Sequence, residues 1–188
     1  MEKVRIGVIG VGNMGPGHVR AIKNIPEAEL VAVCDRIKER ADKYAKEAGP
    51  QCRAFYSTDE LFASGCVDAV TIAIPHYDHC PVTIAAFEHG LHVLCEKPIT
   101  VTKSMAQKMI DAHARHPELR FGLMFQQRTH QAHRKIKELI EKGEFGRILR
   151  VNWIITDWYR TQIYYDSGSW RATWAGEGGG VLLNQCPH

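Results

Sequence analysis

The sequence has no apolar run near the ~20 residues that a membrane span requires. It has no block of basic residues either. Its 24 Lys and Arg are spread along the chain beside 21 Asp and Glu, for a net charge of +3. A nucleic-acid or anionic-membrane partner normally calls for a clustered patch, so neither is expected. The six cysteines (Cys34, Cys52, Cys66, Cys80, Cys95 and Cys186) lie far apart with no C-x-x-C. They read as reduced thiols of a cytoplasmic protein rather than a disulfide or zinc framework. Lys3 and Arg5 interrupt the apolar stretch at the N-terminus, which therefore reads as a strand and not as a signal peptide. Low-complexity tracts and internal repeats are lacking too. With 45% hydrophobic and 24% charged residues, the disordered, collagen-like and mini-protein classes are excluded. What remains is a globular chain of 188 residues, enough for one complete domain and a fraction of a second, with a core that needs no staples.

Over the first 120 residues, short apolar runs alternate with helical patterns. Apolar runs at 4–9, 30–34, 69–74, 92–95 and 121–125 predict strands buried on both faces. Helical spacing covers 14–24, 37–48 and 102–116, with Pro16 tolerable in a first turn. Ser57 with Glu60 three residues on predicts a capped short helix, and Asp78 predicts a cap for a helix ending at Gly90. This alternation predicts an α/β fold, a doubly wound parallel sheet of the Rossmann kind. The texture then changes. Ala132, Ile136, Leu139 and Ile140 form a helical stripe, and residues 147–157 alternate apolar and polar as a half-exposed strand would. The boundary is placed near Gly122, dividing residues 1–122 from the first part, 123–188, of an α+β open-sheet substrate domain.

The turn Gly10-Val11-Gly12-Asn13-Met14-Gly15 follows a strand and opens a helix. A pyrophosphate needs bare backbone N–H groups at a helix N-terminus, and side chains at these glycines would block the turn or the approach. Asp35 ends the second strand, where an acid accepts from both ribose hydroxyls of NAD. Arg36 beside it could instead hold the 2′-phosphate of NADP. Dinucleotide binding is thus expected, with Gly10, Gly12, Asn13, Met14, Gly15, Asp35 and Arg36 as contacts. A second cluster, Cys95-Glu96-Lys97-Pro98, falls at the carboxyl end of a strand, where ligands of doubly wound sheets sit. Lys97 there can donate to a substrate oxygen or relay its proton, although an ordinary surface Glu–Lys pair has the same spacing. His18 reads as a packed or capping residue. His113, His116, His130 and His133 read as solvated helix faces. His76, Asp78, His79 and Cys80 lack the further ligands a metal would require, and no metal is expected.

The glycine fingerprint, the stretch Ile74-Pro75-His76 to His79, the triplet Glu96-Lys97-Pro98, Glu144-Phe145-Gly146 and the closing 178–184 run GGGVLLN together resemble the Gfo/Idh/MocA oxidoreductases. That resemblance spans essentially the whole chain. It implies that Lys97 contacts the substrate hydroxyl and takes part in proton transfer, and that Ile74, Pro75, His76, His79 and Glu96 lie along the cofactor near the nicotinamide half. The family's late motif, an aspartate and four residues on a histidine, is represented by Asn184 and His188, which on one helix would share a face. Asn184 departs from it: an amide can bond a sugar hydroxyl but holds no negative charge beside His188. Lys97, His188 and Asn184 are thus the candidate catalytic residues.

The activity implied is hydride transfer between NAD (NADP through Arg36) and a hydroxyl of a sugar, inositol or related polyol. A nucleotide-binding regulator without turnover, or a binding-only fragment, is the alternative. All four tryptophans and three tyrosines fall within 153–174. They suit either polyol recognition or packing of the second sheet or of a subunit interface. Homo-oligomers through the open sheet are expected. Because the chain stops within the late motif, with Pro187 where a helix would begin, the second domain is expected to be truncated.

Overall fold

The computed structural model describes residues 3–154, 156, 159–168 and 170–187. The chain forms two compact units, Met1–Met124 and Phe125–His188. The first unit carries six strands: β1 Val4–Ile9, β2 Ala28–Cys34, β3 Arg53–Phe55, β4 Ala69–Ile72, β5 His92–Glu96 and β6 Phe121–Met124. Gly122, taken above as the boundary, lies inside β6. All strand pairings are parallel, in the order β3-β2-β1-β4-β5-β6. The order reverses between β1 and β4, which opens a crevice at the carboxyl ends of the strands.

Successive side chains of a strand point to opposite faces, and here both faces are covered. Val8 and Val33 belong to one core cluster with Val19 and Ile22 of helix α1 (Gly15–Ile22) and Ala45 and Ala48 of α2 (Lys38–Ala48). Ile9, Ala32 and Cys34 belong to the other. There they meet Leu61 and Phe62 of α3 (Thr58–Ala63), Phe87 of α4 (His79–Glu88) and Ala112 of α5 (Lys103–Ala114). That two-sided burial explains why β1 and β2 are apolar toward their carboxyl ends, past Arg5 and Glu29.

Ser57 caps α3 by accepting from the Glu60 N–H at 3.2 Å, and Thr102 caps α5 by accepting from the Met105 N–H at 3.2 Å. Two local expectations are corrected. Asp78 makes no side-chain cap, because a short 3-10 turn over His76–Asp78 leads directly into α4. His113 is not a solvated residue. Its ring packs against Phe87 and Phe121, with centroids at 5.4 and 5.8 Å, while Nε2–H donates to the Leu119 carbonyl at 2.9 Å. All six cysteines are free. Burial pushes the Cys34 and Cys95 thiols up to about 12, so both stay protonated near neutral pH.

The second unit contains α6 Gln131–Glu141 and the short helices α7 Gln162–Asp166, α8 Trp174–Glu177 and α9 Val181–Asn184. The strand expected over 147–157 is not formed among its described residues. A strand exists only as a ladder of hydrogen bonds to a partner, and no other described segment of the unit pairs with this one. Leu149, Val151 and Ile154 are accordingly 81%, 76% and 83% exposed. The open sheet expected to drive association is likewise not formed among the described residues. No helix described is long and apolar enough to cross a membrane. Nor do three His, Cys, Asp or Glu residues converge, among those described, in a way that could hold a metal.

Candidate functional site at the carboxyl edge of the sheet

The β1–α1 turn shows three different reasons for glycine. Gly10 has φ +86°, where an L side chain is strained, and a Cβ there would also lie 2.5 Å from the Ala73 carbonyl. At Gly15 a Cβ would overlap the Gly10 carbonyl where α1 packs against the turn. Gly12 is different, because the nearest atom to a Cβ would be Arg40 Nη1 at 3.8 Å. Protein packing gives no reason for its missing side chain, whereas close approach of a ligand does. Asn13 and Met14 are exposed beside it. Met14, the N-cap of α1, offers no side-chain acceptor, and no acid stands in the first turn. Pro16 has no N–H and the Gly17 N–H donates to the Met14 carbonyl at 2.9 Å, so an anion would be met by the backbone of the glycine turn ahead of them.

Asp35 braces this turn from below. It is 9% exposed, with Oδ2 accepting from the Val11 N–H and Oδ1 from the Ile37 N–H, both at 2.9 Å. Each oxygen retains a second lone pair. Arg36 beside it is exposed. Arg40, on α2, has no carboxylate within ion-pair distance among the described residues.

At the end of β4, Ile74 packs over the Gly10 Cα, where a Cβ would meet its Cγ2 at 2.7 Å. Pro75 follows, then His76, which is buried. His79 has no exposed surface. Its Nε2 faces the Ile74 carbonyl at 2.9 Å and its Nδ1 the Pro98 carbonyl at 2.8 Å. It therefore ties the β4 and β5 loops together from inside, and its expected place along the cofactor is that of a support rather than a contact. Two carbonyls call for a doubly protonated ring. Burial nonetheless pushes the His79 imidazole below the ordinary histidine range, against the carbonyls and the charge of Glu96; the neutral ring satisfies one carbonyl at a time.

Glu96 closes β5 with its side chain 7% exposed. Its Oε1 lies 2.8 Å from His18 Nε2, and its Oε2 accepts from the Lys97 N–H at 3.3 Å. Lys97 is half-buried and precedes Pro98 through a cis peptide bond. The turn after β1, Asp35 after β2, Ile74 to His76 after β4 and Glu96–Lys97 at β5 thus all stand on one edge of the sheet.

The remaining candidates fall in the second unit. Asn184 is buried, with Nδ2–H donating to Glu177 Oε1 at 3.0 Å. Glu177, also buried, lines a cavity of about 240 Å³ with Tyr164, Tyr165, Trp174 and Gln185. Helix α9 ends at Asn184. His188 itself lies outside the described residues.

The chain matches the oxidoreductase family with NAD-binding Rossmann fold over residues 4–122 and the GFO/IDH/MocA C-terminal domain over 133–188. It belongs to the Gfo/Idh/MocA oxidoreductase family. Similar proteins include inositol 2-dehydrogenase of Corynebacterium glutamicum, 32% identical over 149 residues, covering 79% of this chain and 44% of that protein. Among solved structures, the WlbA dehydrogenase of Bordetella pertussis in complex with NADH and UDP-GlcNAcA has a TM-score of 0.86 at 31% identity, over 98% of this chain and 52% of that one. The scyllo-inositol dehydrogenase of Lactobacillus casei with NAD(H) and scyllo-inositol has a TM-score of 0.74 at 29% identity, over 77% and 43%. The chain thus spans about half the length of the relatives it matches.

Two residues at this sheet edge escaped the sequence reading. Arg40 had no signal beyond its place early in α2. His18 looked like packing, and its partner lies 78 residues away. We expect His18→Leu, which leaves the buried Glu96 carboxylate without its side-chain donor, to cost about 1–3 kcal/mol. His18→Gln keeps a donor and should recover most of that loss in urea unfolding. Equal stability of His18→Leu and the parent would remove His18 from the support of Glu96.

Proposed function

We propose that the protein is an NAD-dependent dehydrogenase that transfers a hydride between nicotinamide and a hydroxyl-bearing carbon of a sugar, inositol or related polyol. The observation that carries this reading is Gly12, where a Cβ would meet nothing closer than Arg40 Nη1 at 3.8 Å, at the carboxyl edge that also presents Lys97. The glycine turn would hold the pyrophosphate on backbone N–H groups, with Arg40 adding a cation beside it. Asp35, through its remaining lone pairs, would accept from the adenosine ribose. This favours NAD, while the exposed Arg36 keeps NADP within reach. Bound NAD supplies the hydride acceptor. In oxidation the C–H electron pair would leave as hydride, the O–H proton would pass to Lys97, and a carbonyl would form. His79 and the His18–Glu96 pair would keep the β4 and β5 ends in place.

A second reading of the substrate, a sugar carried on a nucleoside diphosphate, is supported by the likeness to the UDP-GlcNAcA complex. That match extends over 98% of the chain, whereas the scyllo-inositol enzyme matches over 77%.

The test is reduction of NAD, followed by the absorbance of the reduced nicotinamide, against inositols, aldoses and UDP-linked sugar acids. Turnover of an inositol or aldose supports the first reading, and turnover of the UDP-sugars alone supports the second. Tight NADH binding with no turnover on any of them would overturn both in favour of a non-catalytic nucleotide-binding role.

A further inference from the structure

The sheet reverses its order between β1 and β4, and one buried side-chain contact spans that reversal. His18 belongs to α1, the helix that leaves the glycine turn after β1. Glu96 ends β5, on the other side. The two meet at 2.8 Å, Nε2 to Oε1, with side chains only 12% and 7% exposed. An ionised carboxylate only accepts, so Nε2 carries the hydrogen. Each partner belongs to backbone with a place at the sheet edge. Gly15 opens α1 packed against the Gly10 carbonyl, and Lys97 follows Glu96 directly.

The other flank of Lys97 meets a second histidine. Glu96 Oε2 accepts from the Lys97 N–H at 3.3 Å, and the Pro98 carbonyl faces His79 Nδ1 at 2.8 Å. His79 comes from α4 and turns its Nε2 to the Ile74 carbonyl at 2.9 Å. Ile74 packs over the Gly10 Cα. Two histidines from two helices thus lead from either flank of the lysine back to the same glycine turn.

Stability alone does not explain a carboxylate at position 96. Replacing a buried charged pair by apolar residues of similar size is often neutral or stabilising. What a hydrogen bond to a carboxylate adds is direction, because it fixes both distance and angle between the groups it joins. Proton transfer needs such placement: an error of about 1 Å can lower a rate by about a hundredfold. We propose that His18 and Glu96 are positioning residues, which hold Lys97 in register with the glycine turn and so set the rate of the proton step rather than the affinity for NADH. The role of Lys97 in that step rests on the dehydrogenase reading, but the holding of Lys97 does not.

The test reads Lys97 twice in the intact protein. One reading is kcat, and the other is the rate at which acetic anhydride acetylates Lys97 relative to the exposed Lys46, followed by mass spectrometry. In His18→Leu, kcat should fall about thirtyfold while NADH binding stays within about threefold of the parent. Acetylation of Lys97 should rise about fivefold as the end of β5 loosens. His18→Gln, whose amide nitrogen can sit where Nε2 does, should return both readings to within about threefold of the parent. In a Glu96→Ala background, His18→Leu should change either reading by less than about twofold, since His18 acts through Glu96. His18→Phe, a ring without a donor, takes the place of leucine where His18→Leu does not fold. A merely structural pair would lower the melting temperature and leave both readings at parent values below the transition, which would overturn the proposal. A fall in kcat with acetylation unchanged would assign the effect to the charge of Glu96 and overturn it too. So would a full effect of His18→Leu in the Glu96→Ala background. Acetylation needs neither substrate nor coenzyme. A parent without turnover would therefore count against the dehydrogenase reading, while the labelling still decides whether the pair holds Lys97.

Discussion

Replacing Gly12 by alanine should weaken NADH binding by about a hundredfold, ~2.7 kcal/mol, while the melting temperature stays within about 2 °C of the parent. The two halves of that expectation come from one geometric fact. A methyl group at position 12 meets nothing closer than Arg40 Nη1 at 3.8 Å, an ordinary van der Waals contact with the end of a flexible side chain. The fold therefore has no reason to object. A pyrophosphate resting on the turn would meet that methyl directly, and in Rossmann turns the middle glycine is the one that permits this approach. Gly15→Ala is the control: its Cβ would overlap the Gly10 carbonyl, so stability and binding should fall together. Isothermal titration with NADH beside thermal melting separates the cases. A Gly12→Ala protein that binds NADH as the parent does would remove the glycine turn from the cofactor site.

Lys97→Met should lower kcat by about a thousandfold, within the range typical of a positioned proton-transfer group, while NADH binding changes less than about threefold. The lysine's backbone anchor does not depend on its ammonium: the Lys97 N–H donates to Glu96 Oε2, and Glu96 is held in turn by His18. Methionine keeps the length and apolar stem of the side chain and removes only the group that can exchange a proton with a substrate hydroxyl. The strand end is thus expected to stay in place while the proton step is lost. Stopped-flow hydride transfer and NADH titration on the same variant give the two numbers. Turnover within about tenfold of the parent would show that the proton leaves by another route.

The elements that sequence reasoning found are those whose cause is local. Strands β1 and β2 are apolar toward their carboxyl ends because both faces are covered, and Ser57 and Thr102 announce helix starts because a cap acts within three residues. Gly10 and Gly15 were legible through the spacing of the turn. The failures share a non-local cause. His18 and Glu96 meet across 78 residues of chain, and His113 is drawn inward by Phe87 and Phe121 rather than by its own helix. Residues 147–154 alternate as a strand should, but pairing is a property of two segments. Glu177 lies close to Asn184 in sequence, yet nothing in the spacing reveals that their side chains meet.

The two backbone hydrogen bonds of Asp35 constrain how this protein could change its coenzyme. The obvious substitution for admitting a 2′-phosphate removes the carboxylate at position 35. That same carboxylate holds the Val11 and Ile37 amides, one in the glycine turn and the other at the entry to α2. Preference and loop integrity therefore share one side chain, and a single replacement there would loosen the phosphate cradle while opening space beside the ribose. A lineage moving toward NADP would have to rebuild the brace first, with a small acceptor such as serine or asparagine at position 35. Arg36, exposed beside position 35, would supply the cation, so the brace and not the charge limits the exchange between the two coenzymes.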